Sequence, residues 1–145
     1  MITSSQARTI VEASLGYARD HALPPMTVAV LGADGELVAF RKEDGSSLLR
    51  EKIARGKARG ALNMGVGSRA LAARATTHPQ FVNSLVALAA GELVPVPGGV
   101  LVRDDAGMIV GAVGVSGHQP DEDEACAIAG IEAIDLAADP GSDAH

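Results

Sequence analysis

Lys57 lies in the stretch IARGKARGA, residues 53–61, with Arg50, Lys52, Arg55 and Arg59 around it. A lysine on a helix beside glycines could point its ammonium into a pocket and hold a carboxylate as a point charge. The competing reading is a solvated basic face, or a salt bridge to the acidic helix near the C-terminus. The turns Pro97-Gly98-Gly99 and Gly114 to Gly117 are the backbone counterpart. Successive N–H groups in such turns can cradle an anion, and the same glycines also allow a helix and a sheet to pack closely. His118 directly follows GVSG, where a strand gives way to a helix. An imidazole there could move a proton near neutral pH or ligate iron, and it could equally be an ordinary loop residue.

Asp121 to Glu124 place four carboxylates in a row. They could coordinate a hard cation, but in the first turn of a helix they already complement the dipole, and their spacing matches no EF-hand or His–carboxylate motif. His21, at the end of the first helix, is explained by the favourable position of a positive charge at a helix C-terminus. His78, before Pro79, reads as a capping or turn residue, and His145 as part of the tail from Ser142 onward. Cys126 reads as a small buried residue, since burial suppresses the thiolate. The resulting candidate site has Lys57, His118 and Glu124 as catalytic groups. Its ligand contacts are Lys57, Pro97, Gly98, Gly99, Ser116, Gly117 and His118, and no metal site is expected.

These residues need elements to position them. Thr3 and Gln6 form a capping-box pattern, and Ala7, Ile10, Val11, Leu15, Ala18 and Ala22 recur at helical spacing up to Pro24-Pro25. Met26 to Leu31 and Leu37 to Arg41 read as a hairpin around Asp34-Gly35, and Val100 to Arg103 and Met108 to Ser116 as a second around Asp104 to Gly107. Ser46 or Ser47 is placed to cap a helix running to about Met64, with Leu49, Ile53, Gly56, Gly60 and Met64 on one stripe. Gly56 and Gly60 would let another element approach. Ser68 to Ala73 and Pro79 to Ala90 read as shorter helices. Asp121 with Glu124 repeats the capping pattern, and Ala127, Ile128, Ile131, Ile134 and Ala138 mark a final helix that Pro140-Gly141 stops. Hairpins rather than βαβ crossovers argue for an α+β domain with an antiparallel sheet.

The chain's 145 residues are enough for one domain, 1–145. Aromatics amount to 2% of the chain, so Ala, Val, Leu and Ile must form the core, and stacking sites for nucleic-acid bases are not expected. The net charge of −6 disfavours nucleic acid or an anionic membrane as partner. Between Arg41 and Arg74 lie nine basic residues against three acids, whereas from Asp121 onward there are eight acids and no base; the two segments could face each other within or between subunits. A single cysteine excludes an intrachain disulfide. MITSSQARTIVEAS lacks the basic start and apolar run of a secretory signal, and no stretch approaches the ~20 apolar residues of a membrane span, so a cytoplasmic protein is the expectation.

The order VAVLGADGELVAF, Asp44-Gly45, IARGKARGA, PGG, VGAVGVSG and DEACAIAGI resembles the GlcG/HbpS family of haem-binding or haem-degrading-type proteins, which includes the C-terminal domain of PduO, over residues 26–134. The resemblance implies a profilin-like or PAS-like fold with a five-stranded sheet, for which Val94-Pro95-Val96 could supply the fifth, edge strand. It also implies multimers, a site role for either Asp123 or Glu124, which match the family's DEACA stretch, and, for the PduO-type domain, a haem-ligating histidine near the N-terminus. The expected function is binding of haem or a small organic anion between the glycine turns and the Lys57 helix. The scarcity of aromatics favours a small polar ligand. The alternative is a cofactor-independent catabolic enzyme, a proton-transfer isomerase or lyase acting on a small carboxylate or ring-derived metabolite. A weaker option is a structural partner of another enzyme.

Overall fold

Thr3 begins the first helix, α1 (Ser4–Asp20): its hydroxyl accepts from the Gln6 N–H at 3.1 Å, while its own N–H donates to Gln6 Oε1 at 3.0 Å. This capping box satisfies two of the donors that a helix start leaves free. The chain then forms the hairpin β1 (Thr27–Gly32) and β2 (Leu37–Lys42), three helices α2 (Arg50–Met64), α3 (Ser68–Thr77) and α4 (Pro79–Leu88), and a second hairpin β3 (Gly99–Arg103) and β4 (Ile109–Ser116). It closes with α5 (Pro120–Glu132) and β5 (Ala137–Asp139). The turn of the second hairpin is set by Asp104, whose Oδ1 accepts from the N–H groups of Ala106 and Met108 at 2.9 Å each. This computed structural model describes residues 1–141; the tail Ser142 to His145 lies outside the described residues.

The five strands form one antiparallel sheet in the order β2-β1-β4-β3-β5, which makes this an α+β fold. Residues directly opposite each other in a ladder share a face. Val28, Val30, Val100, Val113 and Val115 therefore point together, into a core shared with Ile10 and Leu15 of α1 and Ala127 and Ile131 of α5. The other face carries Leu31, Leu101 and Ala112 against Ala58 and Ala61 of α2. β4 is large on one side and thin on the other, with Ala112 and Gly114 beneath α2. A Cβ on Gly114 would collide with the Ala54 carbonyl, and one on Gly99 with the Lys57 carbonyl. The glycines thus let the α2 backbone lie almost directly on the sheet.

Several sequence expectations are corrected. The fifth strand is β5, paired with β3 through Leu101↔Asp139, Val102↔Ala138 and Arg103↔Ala137, and pinned by Arg103 Nε to Asp139 Oδ2 at 2.9 Å. Val94-Pro95-Val96 instead lies along α2 and α3, where the Val94 N–H donates to the Gly56 carbonyl and the Ser68 hydroxyl to the Val96 carbonyl. The final helix ends at Glu132, so Ala138 is a strand residue; Asp135, at φ 58°, turns the chain between them. Its N-cap is Gln119 with Pro120 in the first turn, and no side chain caps it, so the Asp121/Glu124 box does not form. Neither Ser46 nor Ser47 caps α2, whose N-cap is Leu49. Its buried residues are Ala54, Gly56, Lys57, Ala58, Gly60 and Ala61, while Leu49 and Met64 are exposed. Gly56 and Gly60 do admit a neighbour, the Leu93-Val94 segment. α3 extends past Ala73 to Thr77. Among the described residues, no helix is long and apolar enough to cross a membrane.

Candidate functional site

The antiparallel ladders bring many chain ends to one end of the sheet. Thr27 at the start of β1 pairs with Lys42 at the end of β2 and with Ser116 at the end of β4, and Gly99 at the start of β3 pairs with Gly114. α2 starts here, through Arg50 on Ser116, and α5 through Asp123 on His118. The C-terminus of α1 is tied to the same end, where Arg19 meets Glu43 at 3.3 Å and the Leu23 carbonyl at 2.7 Å.

Lys57 lies between α2 and the sheet and is only 2% exposed. Its Nζ donates to Asp123 Oδ2 and to the Val115 carbonyl, each at 3.0 Å. Burial draws the ammonium below the ordinary lysine range; the Asp123 charge and hydrogen bond oppose that shift, and the nearby Arg50 charge adds to it. Gly98, at φ 123°, makes room for the amine: a Cβ there would stand 2.8 Å from Nζ and 2.9 Å from the Val115 carbonyl. Ser68 fastens the turn, accepting from the Gly99 N–H at 2.7 Å and donating to the Val96 carbonyl at 2.6 Å.

Asp123 is 1% exposed and links the groups, since its second oxygen accepts from the His118 N–H at 2.9 Å. The structure therefore gathers Lys57 and the His118 backbone around one carboxylate, with Gly98 against the Lys57 amine. The His118 ring turns outward to Glu122, with Nε2 3.0 Å from its carboxylate. Glu124 joins Asp121 on Arg69 instead, with Arg69 Nε at 2.9 Å from Glu124 Oε2, and this pair holds the guanidinium above its ordinary value. The basic and acidic segments thus meet within one subunit. Ser116 accepts from Arg50 Nη1 at 3.1 Å, and Gly117 packs on Pro25 and Met26. Pro97 precedes the Gly98-Gly99 turn.

The other described histidines, His21 and His78, make no contact with the Lys57–Asp123 pair. His21 is the C-cap of α1, its ring stacked on Tyr17 at 3.9 Å and Nδ1 2.9 Å from the Tyr17 carbonyl. His78 separates α3 from α4 and bonds the Thr77 hydroxyl without capping either helix through its side chain. Cys126 is buried, and desolvation, helped by Asp123 and Glu122, pushes its thiol up to about 12, which keeps it protonated. Among the described residues, no group of three or more His, Cys, Asp or Glu side chains is arranged to hold a metal ion.

Sequence reasoning missed Asp123 as the hub, Ser68, and Arg69. Within the DEDE run the resemblance set Asp123 and Glu124 apart, and only the helix phase separates the one that turns inward to Lys57 from the one that meets Arg69. Surface clefts are about 610 Å³ between Glu51, Lys52, Arg55 and Gly91-Glu92, about 380 Å³ at Leu48, Leu49, Glu51 and Lys52, and, at the same end of the sheet, about 320 Å³ at Arg19, Pro25, Arg41 and Lys42.

Comparison with known proteins agrees with this architecture. A family model described as haem-degrading protein HbpS-like matches residues 2–132. No curated protein matches the sequence. Among solved structures, a PduOC–heme complex superposes with a TM-score of 0.83 at 22% identity, covering 92% of this chain and 94% of that one. The Klebsiella pneumoniae protein ORFY gives 0.84 at 20% identity over 92% and 90% of the two chains, and HbpS gives 0.77 at 24% over 90% and 87%. At these identities the likeness is one of fold.

Proposed function

The chain belongs to the HbpS-like family, and from that premise we propose that it binds a small ligand, haem or a small organic anion, at the end of the sheet where Gly98-Gly99, Ser116 and His118 converge. The observation that carries this reading is the buried Lys57–Asp123 pair under that junction. A buried ion pair is poor value for stability compared with apolar packing, and such perturbed groups cluster at functional sites. The PduOC–heme complex supports haem as one ligand.

For haem, His21 is the histidine that fits. Its Nδ1 lies against the Tyr17 carbonyl, an arrangement that fixes the ring as Nδ1–H and leaves Nε2 free on an exposed surface to bind iron. His118 Nε2 already faces Glu122. The proton-transfer enzyme reading needs Lys57 to hold a substrate anion. Its ammonium is occupied by Asp123 and the Val115 carbonyl, which favours binding over turnover. A homo-oligomer in the cytoplasm belongs to the same reading, and exposed Leu48, Leu49, Phe81 and Leu88 offer apolar surface for self-association.

Titration with hemin, followed by absorbance, and with succinate, followed by calorimetry, tests the proposal. Wild-type protein is expected to give saturable binding of at least one, with any Soret shift abolished by His21→Ala and kept by His118→Ala. A Soret shift that persists when His21, His78 and His118 are all replaced overturns histidine-ligated haem. Absence of saturable binding of both probes overturns the reading itself.

A further inference from the structure

Two cations of α2 face the sheet at the candidate site, and only one is committed. Lys57 is neutralised by Asp123. Arg50, two turns earlier and at the first residue of the helix, donates to the Ser116 hydroxyl and has no carboxylate partner among the described residues. Arg19, Arg55, Arg59, Arg69 and Arg103 each face an acid. Arg8, Arg41 and Arg74 face none among the described residues, but none of these three bonds a side chain of the candidate site as Arg50 does. The 15-residue helix that Arg50 begins has no side-chain cap, and the acid of its first turn, Glu51, is turned toward Arg55. A helix start of this kind attracts negative charge.

The independent sign of a ligand is Thr27. It is 0% exposed, and its Oγ1 has no hydrogen-bond partner. Because Thr27 is directly opposite Ser116 in the β1–β4 ladder, its side chain is on the α2 face, next to the hydroxyl that Arg50 holds. Most buried hydroxyls in folded proteins find a partner. Of the three described here that do not, Ser14 lies on α1 away from the site, while Thr27 sits beside an uncommitted guanidinium, where a ligand oxygen would satisfy it. Ser46 Oγ, in the loop leading into α2, is the third. Lys42 continues the row on β2, opposite Thr27, and the cleft at Leu48 and Leu49 opens beside the first turn of α2.

We propose that Arg50, Ser116, Thr27 and the first turn of α2 form a subsite for a carboxylate group of the ligand. This deepens the binding reading above and rests on it: the group recognised is a carboxylate, carried either by a haem propionate or by a small organic acid, and Arg50 rather than Lys57 receives it. The guanidinium can meet a carboxylate with two parallel N–H···O bonds, while the Thr27 O–H supplies a third donor.

The experiment compares wild-type protein, Arg50→Gln and Thr27→Val in titrations with hemin, succinate and iron octaethylporphyrin, which carries no carboxylate. Arg50→Gln is expected to weaken binding of the carboxylate ligands by about tenfold, as loss of a charge-assisted contact does, and to leave octaethylporphyrin unchanged. Thr27→Val is expected to weaken the same ligands while keeping the thermal midpoint, since it removes a hydroxyl that bonds nothing. Loss for hemin alone assigns the propionates; loss for succinate alone assigns a small acid. Wild-type affinities in both variants overturn the subsite and leave the binding reading standing. If wild-type protein binds none of the probes, both fall. Should Arg50→Gln not fold, Thr27→Val decides.

Discussion

Lys57 and Asp123 are 2% and 1% exposed, so each ion has lost its water and depends on the other. Removing one partner leaves an uncompensated buried charge, which costs about 3–5 kcal/mol, whereas removing both charges together costs less. Lys57→Met is therefore expected to destabilise by about that amount. Asp123→Asn should cost less than Lys57→Met, because the amide oxygen still accepts from the His118 N–H. The double variant should be more stable than the sum of the two predicts. Urea unfolding of the four proteins measures the coupling, and additive effects would show that the pair is not an energetic unit. Lys57 was legible as a helical cation beside glycines, and of its alternative readings the salt bridge to the acidic C-terminal helix is the one that forms. Asp123 was legible only as one of two candidates, because the likeness to the family's DEACA stretch covers Asp123 and Glu124 alike, and the helix phase that turns Asp123 inward depends on Gln119 being the N-cap. Nor could spacing alone reveal Arg50 as uncommitted, since this depends on which of its neighbours find acids.

The elements divide by how locally their signals are written. Both hairpins and the Thr3–Gln6 capping box follow from turn residues and alternation within a few positions, and they form where expected. β5 has three residues, with no alternation long enough to read, and exists because the edge of β3 needs a partner. The same division governs glycine. Gly114 stands where α2 touches β4, and an added methyl would meet the Ala54 main-chain carbonyl, which no rotamer change can move aside. Gly114→Ala is expected to destabilise by about 3 kcal/mol, the upper end for overpacking, because the whole helix must lift. Gly16 lies within α1, exposed, with nothing within 4 Å of its would-be Cβ. Gly16→Ala should stabilise by roughly 0.5–1 kcal/mol through the lower flexibility of the unfolded chain. Thermal melts of the two variants test the contrast. Opposite signs are required, and a neutral Gly114→Ala would mean that α2 does not rest on the sheet as described.

At the scale of the whole molecule, two apolar layers share one sheet. The β1 and β4 side chains on one face belong to the core with α1 and α5, and those on the other to the core with α2. Neither layer can separate without exposing the other side of the same strands, so the sheet, α1, α2 and α5 should open together. The α3–α4 pair is outside this arrangement. Only Ser68 and Leu71 of α3 and Val82 of α4 are buried, and α4 packs chiefly on α3. Segments with few buried contacts open at a small fraction of the global free energy. Native-state hydrogen exchange is therefore expected to show the central amides of β1 and β4 exchanging only by global unfolding, and those of α4 exchanging first through local opening. Added denaturant should accelerate the strand amides strongly and the α4 amides weakly, since local opening exposes little surface. Equal protection of α4 and β4 in the isolated subunit would contradict this hierarchy. Protection of α4 that appears only as protein concentration rises would instead identify this helix as the surface covered on self-association, because a contact made between copies strengthens with concentration while one made within a subunit does not.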